Sequence, residues 1–495
     1  MRLFAQFPRA ALVVGLVGLG SYLVYGATCV GLWIDELYTL HAINLPWPDM
    51  LLDRLRRGHP PLYFLLEKIV WVLTGGAWLS VEFRLRLLSL VSWGVAVVAF
   101  FNLTRRLLTP SGSLLALAIF ALGHISAPQA ANGRMYALAI FCSVIHIASF
   151  LRIVRRDSEE PHRWWLIFLF SSIIGMCVTP SFALLICGTT SSFIAVKPLR
   201  SQDARLGACS LVIAGLFYVP AIYLYLITPH QLGPVTKHWS RVYLGIPALL
   251  TGIGRGKLPD DQWWQWAALL ATIGVTGFVS WGLIWKWRGL AEWKRRLASV
   301  FLTPFLIFSL FFVLSLFPPL AWFRIGTDRY LAVFAPVGAL LAAAVFEEVF
   351  HRHMMSILTA ALIFGILITF PPIHKSEGQQ FREEMLNLRK ANLQGVPTIL
   401  CPPEIVEGVN SYCPGLAVIA TFGINARARE SIATAVKDAV TSNSALIIYY
   451  RGHVPEVLEA FRAGFTSHTL ISKRHYGSKR DPIFALFLFT GPRVH

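Results

Sequence analysis

The feature that most constrains this chain is the recurrence of apolar runs near or above the roughly 18 residues a helix needs to cross a bilayer. They fall at about 9–30, 84–103, 113–131, 134–153, 163–179, 180–197, 205–228, 263–286, 298–321, 329–349 and 353–372. The overall balance agrees, with 55% hydrophobic and 14% charged residues and a mean hydropathy of +0.59. The expected fold class is a polytopic α-helical membrane protein with about eleven transmembrane helices. Within 163–197, Thr179-Pro180 reads as a turn between two short helices or a kink in one, and the loop charges favour two.

The net charge of +18 invites a nucleic-acid reading, but its distribution argues against one. Residues 372–495 hold 14 Lys or Arg and 10 Asp or Glu, so +14 belongs to residues 1–371. There the cations gather in short loops, at Arg105-Arg106, at Arg152 with Arg155-Arg156, at Lys197 with Arg200 and Arg205, and from Lys286 through Arg296. Cations collected in alternate loops mark the cytoplasmic side of a membrane protein. No basic stripe with interleaved aromatics lies outside the membrane, so no nucleic-acid partner is expected. An uncleaved signal-anchor puts the N-terminus in the cytoplasm, and eleven crossings put the tail outside. Residues 28–83, 229–262 and 372–495 are then extracytoplasmic. Of the seven cysteines, Cys401 and Cys413 lie in the polar tail and are open to disulfide formation there.

Against this background the acids of Trp33-Ile34-Asp35-Glu36-Leu37-Tyr38 stand out, two adjacent carboxylates directly after the first apolar run. Ionisable groups at a membrane edge are costly and are functional candidates. Downstream, residues 47–57 place Trp47, Leu51 and Leu55 on one face among charges, a short helix in the interface plane. Gly58-His59-Pro60-Pro61-Leu62-Tyr63 follows, with Pro61 suited to open the next helix. The same outer side receives Arg84, His124, Gln129, Arg134-Met135-Tyr136, Arg324 and Arg329. Arginines beside an acid pair suit a site that binds an anionic phosphate and deprotonates a group next to it.

Asp35-Glu36 after the first span, His59-Pro60-Pro61-Leu62-Tyr63, Arg84-Leu85-Arg86-Leu87-Leu88 and Arg134-Met135-Tyr136-Ala137-Leu138 occur in an ordered set. In this order and spacing the set resembles the integral-membrane glycosyltransferases of the GT-C fold. The likeness is to the bacterial branch related to protein O-mannosyltransferases, lipid A aminoarabinose transferases and rhizobial galacturonosyltransferases. It covers most of 1–350 and is strongest over 28–145. The resemblance implies a polyprenyl-phosphate-linked sugar as donor and inverting transfer on the extracytoplasmic face of a bacterial inner membrane. It implies Asp35 as the catalytic carboxylate with Glu36 as its companion. His59, Arg84, Arg134 and Tyr136 become donor-phosphate or substrate-binding residues. The family's arginine motif is often preceded by an acid; here Asn132-Gly133 stand before Arg134, and no acidic role is assigned there. Arg324 and Arg329 are assigned to the donor phosphate from topology and chemistry.

The chemistry fits those residues. An acceptor hydroxyl loses its proton as it attacks the anomeric carbon, and a carboxylate in reach can take it. The leaving lipid phosphate needs positive charge, which arginines supply. No metal and no other cofactor is expected to be required, the lipid-linked sugar being a co-substrate. The expected partners are membrane lipids, that donor, and an envelope acceptor among glycolipids, polysaccharides and proteins. Residues 1–371 are expected to form the glycosyltransferase domain. Its outer loop 229–262, with Lys237 to Arg241 and the glycines of 252–257, reads as a lid or as a plain surface loop. Residues 372–495 read as a small α/β domain for recognition or as a passive cap, with helices at 378–391 and 454–465 and strands at 398–401, 445–450, 469–475 and 483–489. A transporter or flippase of lipid-linked sugars is the rival reading, which would put polar groups near the midplane and show an internal repeat.

Overall fold

The computed structural model describes residues 2–75, 79–156, 161–195, 201–227, 248–253, 263–315, 328–369, 377–391, 393, 396–401, 405–421, 429–442, 444–450, 455–474 and 484–492. Over these the protein is mostly helical, with one small sheet near its C-terminus. The chain forms two compact units. One comprises Met1–Tyr25, Leu51–Ile69 and Arg86–Pro371; the other comprises Gly26–Met50, Val70–Leu85 and Pro372–His495. The first loop therefore contributes chain to both.

Helices occupy each of the apolar runs: α1 (Arg2–Cys29), and, after α2 (Ile34–Asn44), α3 (Trp47–Arg56) and α4 (Leu62–Leu73) of the first loop, α5 (Val81–Leu107) and α6 (Pro110–Leu122). Next come the short α7 (Ala127–Ala130), then α8 (Tyr136–Arg155), α9 (Pro161–Val178), α10 (Phe182–Ala195) and α11 (Ser201–Ile227). The series continues with α12 (Trp263–Lys286), α13 (Glu292–Ser315), a 3-10 turn at Asp328–Phe334, α14 (Ala335–Val349) and α15 (Arg352–Thr369). By length and apolarity three described helices suffice to cross a membrane, namely Val81–Leu107, Tyr136–Arg155 and Leu331–Val349; Val17–Cys29 with Ile34–Asn44 pass only as a pair. The segment at 163–197 is two helices. Thr179-Pro180-Ser181 forms the turn between them, closed by the Phe182 N–H on the Thr179 carbonyl at 3.2 Å.

Val91, Val95 and Val98 on α5, and Leu166, Phe170 and Ile174 on α9, form exposed apolar stripes at helical spacing. Faces of this kind are disfavoured in water and comfortable against lipid tails. The chain is a multi-pass membrane protein. Inside the helical unit, polar side chains act as glue between helices. His146 of α8 is buried and bonded at both ring nitrogens, Nδ1 to Ser171 Oγ of α9 at 3.2 Å and Nε2 to Thr189 Oγ1 of α10 at 3.1 Å.

Most of the expected lid, including Lys237 to Arg241, lies outside the described residues. Its glycine stretch begins at Gly252, which is no surface hinge. Residues 248–253 are buried, the His124 N–H donates to the Gly252 carbonyl at 3.0 Å, and the backbone at Gly252 has φ +70°. A Cβ there would stand 2.7 Å from Ile366 Cδ1 and 3.3 Å from the Gly123 Cα, so glycine serves close packing and a left-handed backbone.

In the second unit, five strands line up in the order β2-β1-β3-β5-β4: β1 (Pro397–Cys401), β2 (Ala417–Thr421), β3 (Ser444–Tyr450), β4 (Phe465–Arg474) and β5 (Phe484–Pro492). β1 pairs in parallel with β2 and β3, while β5 runs antiparallel to β3 and β4. The helices are α16 (Glu377–Lys390), α17 (Val406–Tyr412), α18 (Arg429–Thr441) and α19 (Pro455–Gly464). Along β3, Ala445 and Ile447 face one side and Leu446 and Ile448 the other, yet all four are buried, which explains its uninterrupted apolar run. Ile399, Ile447, Phe461, Phe465 and Phe489 pack with Ile432 of α18 as a core. Each such large side chain contributes roughly 1.5–3 kcal/mol on burial. Cys413 is buried with a free thiol. The side chain of Cys401 lies outside what is described.

Candidate functional site

The acid pair opens α2. Ile34, Asp35 and Glu36 are its first three residues, a position where the helix dipole favours negative charge. The two carboxylates have different surroundings. Glu36 is fully buried and its Oε2 accepts the N–H of Trp33, the residue before the helix, at 3.2 Å. This is the returning half of a capping box, and it uses the side chain to fix the turn. Asp35 is partly exposed, and its carbonyl accepts the Thr39 hydroxyl at 3.1 Å.

The second feature grows out of the end of α3. Gly58 takes φ +73°, its N–H bonds the Leu55 carbonyl at 3.0 Å, and the His59 N–H bonds the Arg54 carbonyl at 2.9 Å. These are the two hydrogen bonds of a Schellman stop, which needs a left-handed residue and so selects glycine. The stop brings His59 back beside Arg54. Both pack on Phe64, the guanidinium carbon 5.1 Å and the imidazole centroid 6.0 Å from the ring centre. The Tyr218 hydroxyl of α11 donates to the Gly58 carbonyl at 3.0 Å and holds the turn against the helical unit.

Arg54 is one of the charges around the apolar face of α3, yet only 1% of its side chain is exposed. It is held by Asp53, through Nε at 2.8 Å and through Nη2, while Arg57 Nε reaches the other oxygen of Asp53 at 2.9 Å. Burial alone would raise the Asp53 carboxyl, but Arg54 and Arg57 bring it below the ordinary range. His59 is pushed well below the usual imidazole value by burial, then by Arg134, Arg54 and Arg57, with Asp53 opposing. It is therefore neutral at pH 7. Three guanidinium charges and one carboxylate act on it, so its surroundings are electropositive. Arg134 itself is nearly buried before α8, with its carbonyl accepting the Ser89 hydroxyl at 3.1 Å, and Tyr136 is buried at the helix start.

Arg84 has a different occupation. Its Nη2 donates to the Trp71 carbonyl at 2.8 Å and its guanidinium lies 3.7 Å above the Trp71 indole, so it ties α4 to α5 within the second unit. Arg329 lies on the 3-10 turn that packs against α8, with its side chain outside what is described. Arg324 lies outside the described residues. The predicted residues thus divide by unit: Asp35, Glu36 and Arg84 in the second, His59, Arg134, Tyr136 and Arg329 in the first. Among the described residues no three His, Cys, Asp or Glu side chains gather as a metal site.

The chain is similar to ArnT and to an archaeal oligosaccharyltransferase. ArnT from Cupriavidus metallidurans in the apo state aligns over 96% of this chain and 97% of that one, at 12% identity and a TM-score of 0.45. The same protein bound to undecaprenyl phosphate aligns over 98% and 97%, at 12% and 0.43. The Archaeoglobus fulgidus oligosaccharyltransferase complexed with Zn and sulfate aligns over 88% and 67%, at 12% and 0.44. No protein-family model matches the chain, and no curated protein matches it. At these scores the likeness is one of outline, and the chemistry has to be read from the residues.

Those residues supply two capabilities: a partly open carboxylate on a capped helix, and a cluster of arginines around a neutral imidazole. The part of the second that the sequence reading passed over is Arg54. Its signal was available: Arg54 stands four residues before Gly58, the spacing at which a glycine stop returns the chain onto the helix.

Proposed function

We propose that the protein is an inverting glycosyltransferase that moves a sugar from a polyprenyl-phosphate carrier to an envelope acceptor on the extracytoplasmic face of a bacterial inner membrane. The observation that carries this reading is the contrast within the acid pair. Glu36 is buried and caps α2, while Asp35 beside it is partly exposed, and the acceptor proton is assigned to Asp35. The Arg54, Arg57 and Arg134 cluster supports the other half of the reaction. An anionic phosphate leaving group calls for fixed positive charge, and guanidinium forks suit its oxygens. His59, neutral beside them, is suited to a hydrogen bond with the phosphate or the sugar. No step in this scheme calls on a metal ion. The first loop and the tail build one unit, which supports a shared side of the membrane for both.

The test is mass spectrometry of envelope glycolipids and glycoproteins from cells with the gene, without it, and with Asp35→Asn. A glycosylated species should vanish on deletion and stay absent with Asp35→Asn, a loss of roughly 10²-fold or more. Normal product from a well-folded Asp35→Asn protein removes the catalytic reading. Accumulation of the lipid-linked sugar in the inner leaflet would mark a flippase instead.

A further inference from the structure

Whether the C-terminal domain is a passive cap is answered by what it holds. The second unit joins residues 372–495 to the stretch of first loop that carries the acid pair, and the contacts between them converge on α2 and the turn before it. Gly31 and Leu32 are buried, and their N–H groups point into the domain: Gly31 donates to Gln379 Oε1 of α16 at 3.3 Å, and Leu32 donates to the Tyr412 hydroxyl of α17 at 3.0 Å. Arg382 of α16 donates to the Cys29 carbonyl and pairs with Glu82 at 3.5 Å. At the far end of α2, His41 Nδ1 meets Glu407 Oε1 of α17 at 2.9 Å.

Between those two ends α17 lies directly against α2. A Cβ on Gly408 would stand 2.3 Å from Leu37 Cδ2, so a larger residue there would force the Leu37 side chain to move. Tyr412 is itself fixed, nearly buried with its ring edge-on to Phe381 at 6.0 Å. Two residues, Trp33 and Ile34, separate Leu32 from Asp35. A buried amide needs its acceptor, so Tyr412 sets where the first turn of α2 begins.

We propose that the C-terminal domain is the positioning element of the catalytic helix, with Tyr412 and Glu407 as positioning residues that hold its two ends. The proposal rests on Asp35 being the base. Proton abstraction depends on hydrogen-bond reach, and a displacement of about 1 Å can cost on the order of 10²-fold in rate. Groups that lock a reacting side chain from behind therefore control turnover without touching substrate.

The full-length protein tests this in cells that lack the native copy, with the product defined as the envelope species that disappears on deletion. Tyr412→Phe keeps the ring and removes the acceptor for the Leu32 amide. It should lower product about 10-fold or more and the unfolding temperature modestly, while the purified variant binds undecaprenyl phosphate as tightly as wild type. Glu407→Ala should act in the same direction, and Glu407→Gln, which still accepts from His41, should restore product; this pair carries the test if Tyr412→Phe accumulates poorly. Full product from Tyr412→Phe and Glu407→Ala overturns the proposal. So does a fall in undecaprenyl phosphate binding that matches the fall in product, which would make the domain part of the donor site. Asp35→Asn in the same experiment separates the two readings. If it is inactive and Tyr412→Phe is normal, the domain does not position the helix; if Asp35→Asn is active, the base assignment itself has failed.

Discussion

Two adjacent acids with different surroundings make a prediction at the scale of single residues. The Glu36 Oε2 accepts the Trp33 amide, and glutamine keeps such an oxygen. Glu36→Gln should fold and retain most product, whereas Glu36→Ala should lose about 1 kcal/mol of cap stability and a larger share of product, measured by thermal unfolding beside the product assay. The arginines give a second prediction. Arg54→Ala and Arg134→Ala should each weaken binding of undecaprenyl phosphate, and Arg134→Lys should restore it only in part, because an ammonium group cannot make the planar two-point contact. Unchanged binding in both alanine variants would take the cluster out of the donor site. Because Arg54 also packs on Phe64 and holds Asp53, unfolding temperature has to be followed alongside binding.

At the scale of elements, the site depends on how α3 ends. Gly58 at φ +73° lets the chain turn back so that His59 and Arg54 share the Phe64 ring. An alanine there keeps the residue small yet strains the left-handed backbone by about 1–2 kcal/mol. Gly58→Ala should lower the unfolding temperature modestly and should reduce undecaprenyl phosphate binding by more than that loss of stability explains. Equal loss of both would make Gly58 a folding residue alone. Pro60 and Pro61 work in the same place, since they fix the direction in which the chain leaves the turn and enters α4. The break at Thr179-Pro180-Ser181 has a comparable logic: proline ends one helix, and a hydrogen-bonded turn starts the next.

The whole molecule raises the question of sides. One unit is made of first-loop chain and tail, and the proposed function places both on the extracytoplasmic side. On a background with the exposed Cys29 and Cys209 replaced, Asp49→Cys in the loop and Asn387→Cys in the tail should react with a membrane-impermeant maleimide in intact spheroplasts. Arg105→Cys, in the basic last turn of α5, should react only after permeabilisation. Protection of the tail with labelling of the loop would contradict the shared unit; protection of both would invert the topology.

The sequence by itself determined what depends on local pattern. Apolar runs located the helices of the membrane part, because a segment in lipid must satisfy its backbone internally. The alternating and uninterrupted apolar stretches of the tail located Pro397–Cys401, Ser444–Tyr450, Phe465–Arg474 and Phe484–Pro492 as strands. They did not reveal Val406–Tyr412 or Ala417–Thr421, a seven-residue helix and a five-residue strand too short to show a period. The acid pair was legible as charge in a costly place, and His59 by its position beside a double proline downstream of those acids. Only tertiary structure decided what those charges do. Burial of Arg54 comes from Phe64 and Asp53 closing around it, and nothing in the charge pattern of residues 47–57 distinguishes it from its exposed neighbours Arg56 and Arg57. Arg84 looked like its fellow arginines until Trp71 took its guanidinium. The part of Tyr412 and Glu407 in holding α2 was the least visible of all. They lie more than 360 residues from their partners, and a hydrogen bond at that separation exists only once the chain has brought its first loop and its tail into one folded unit.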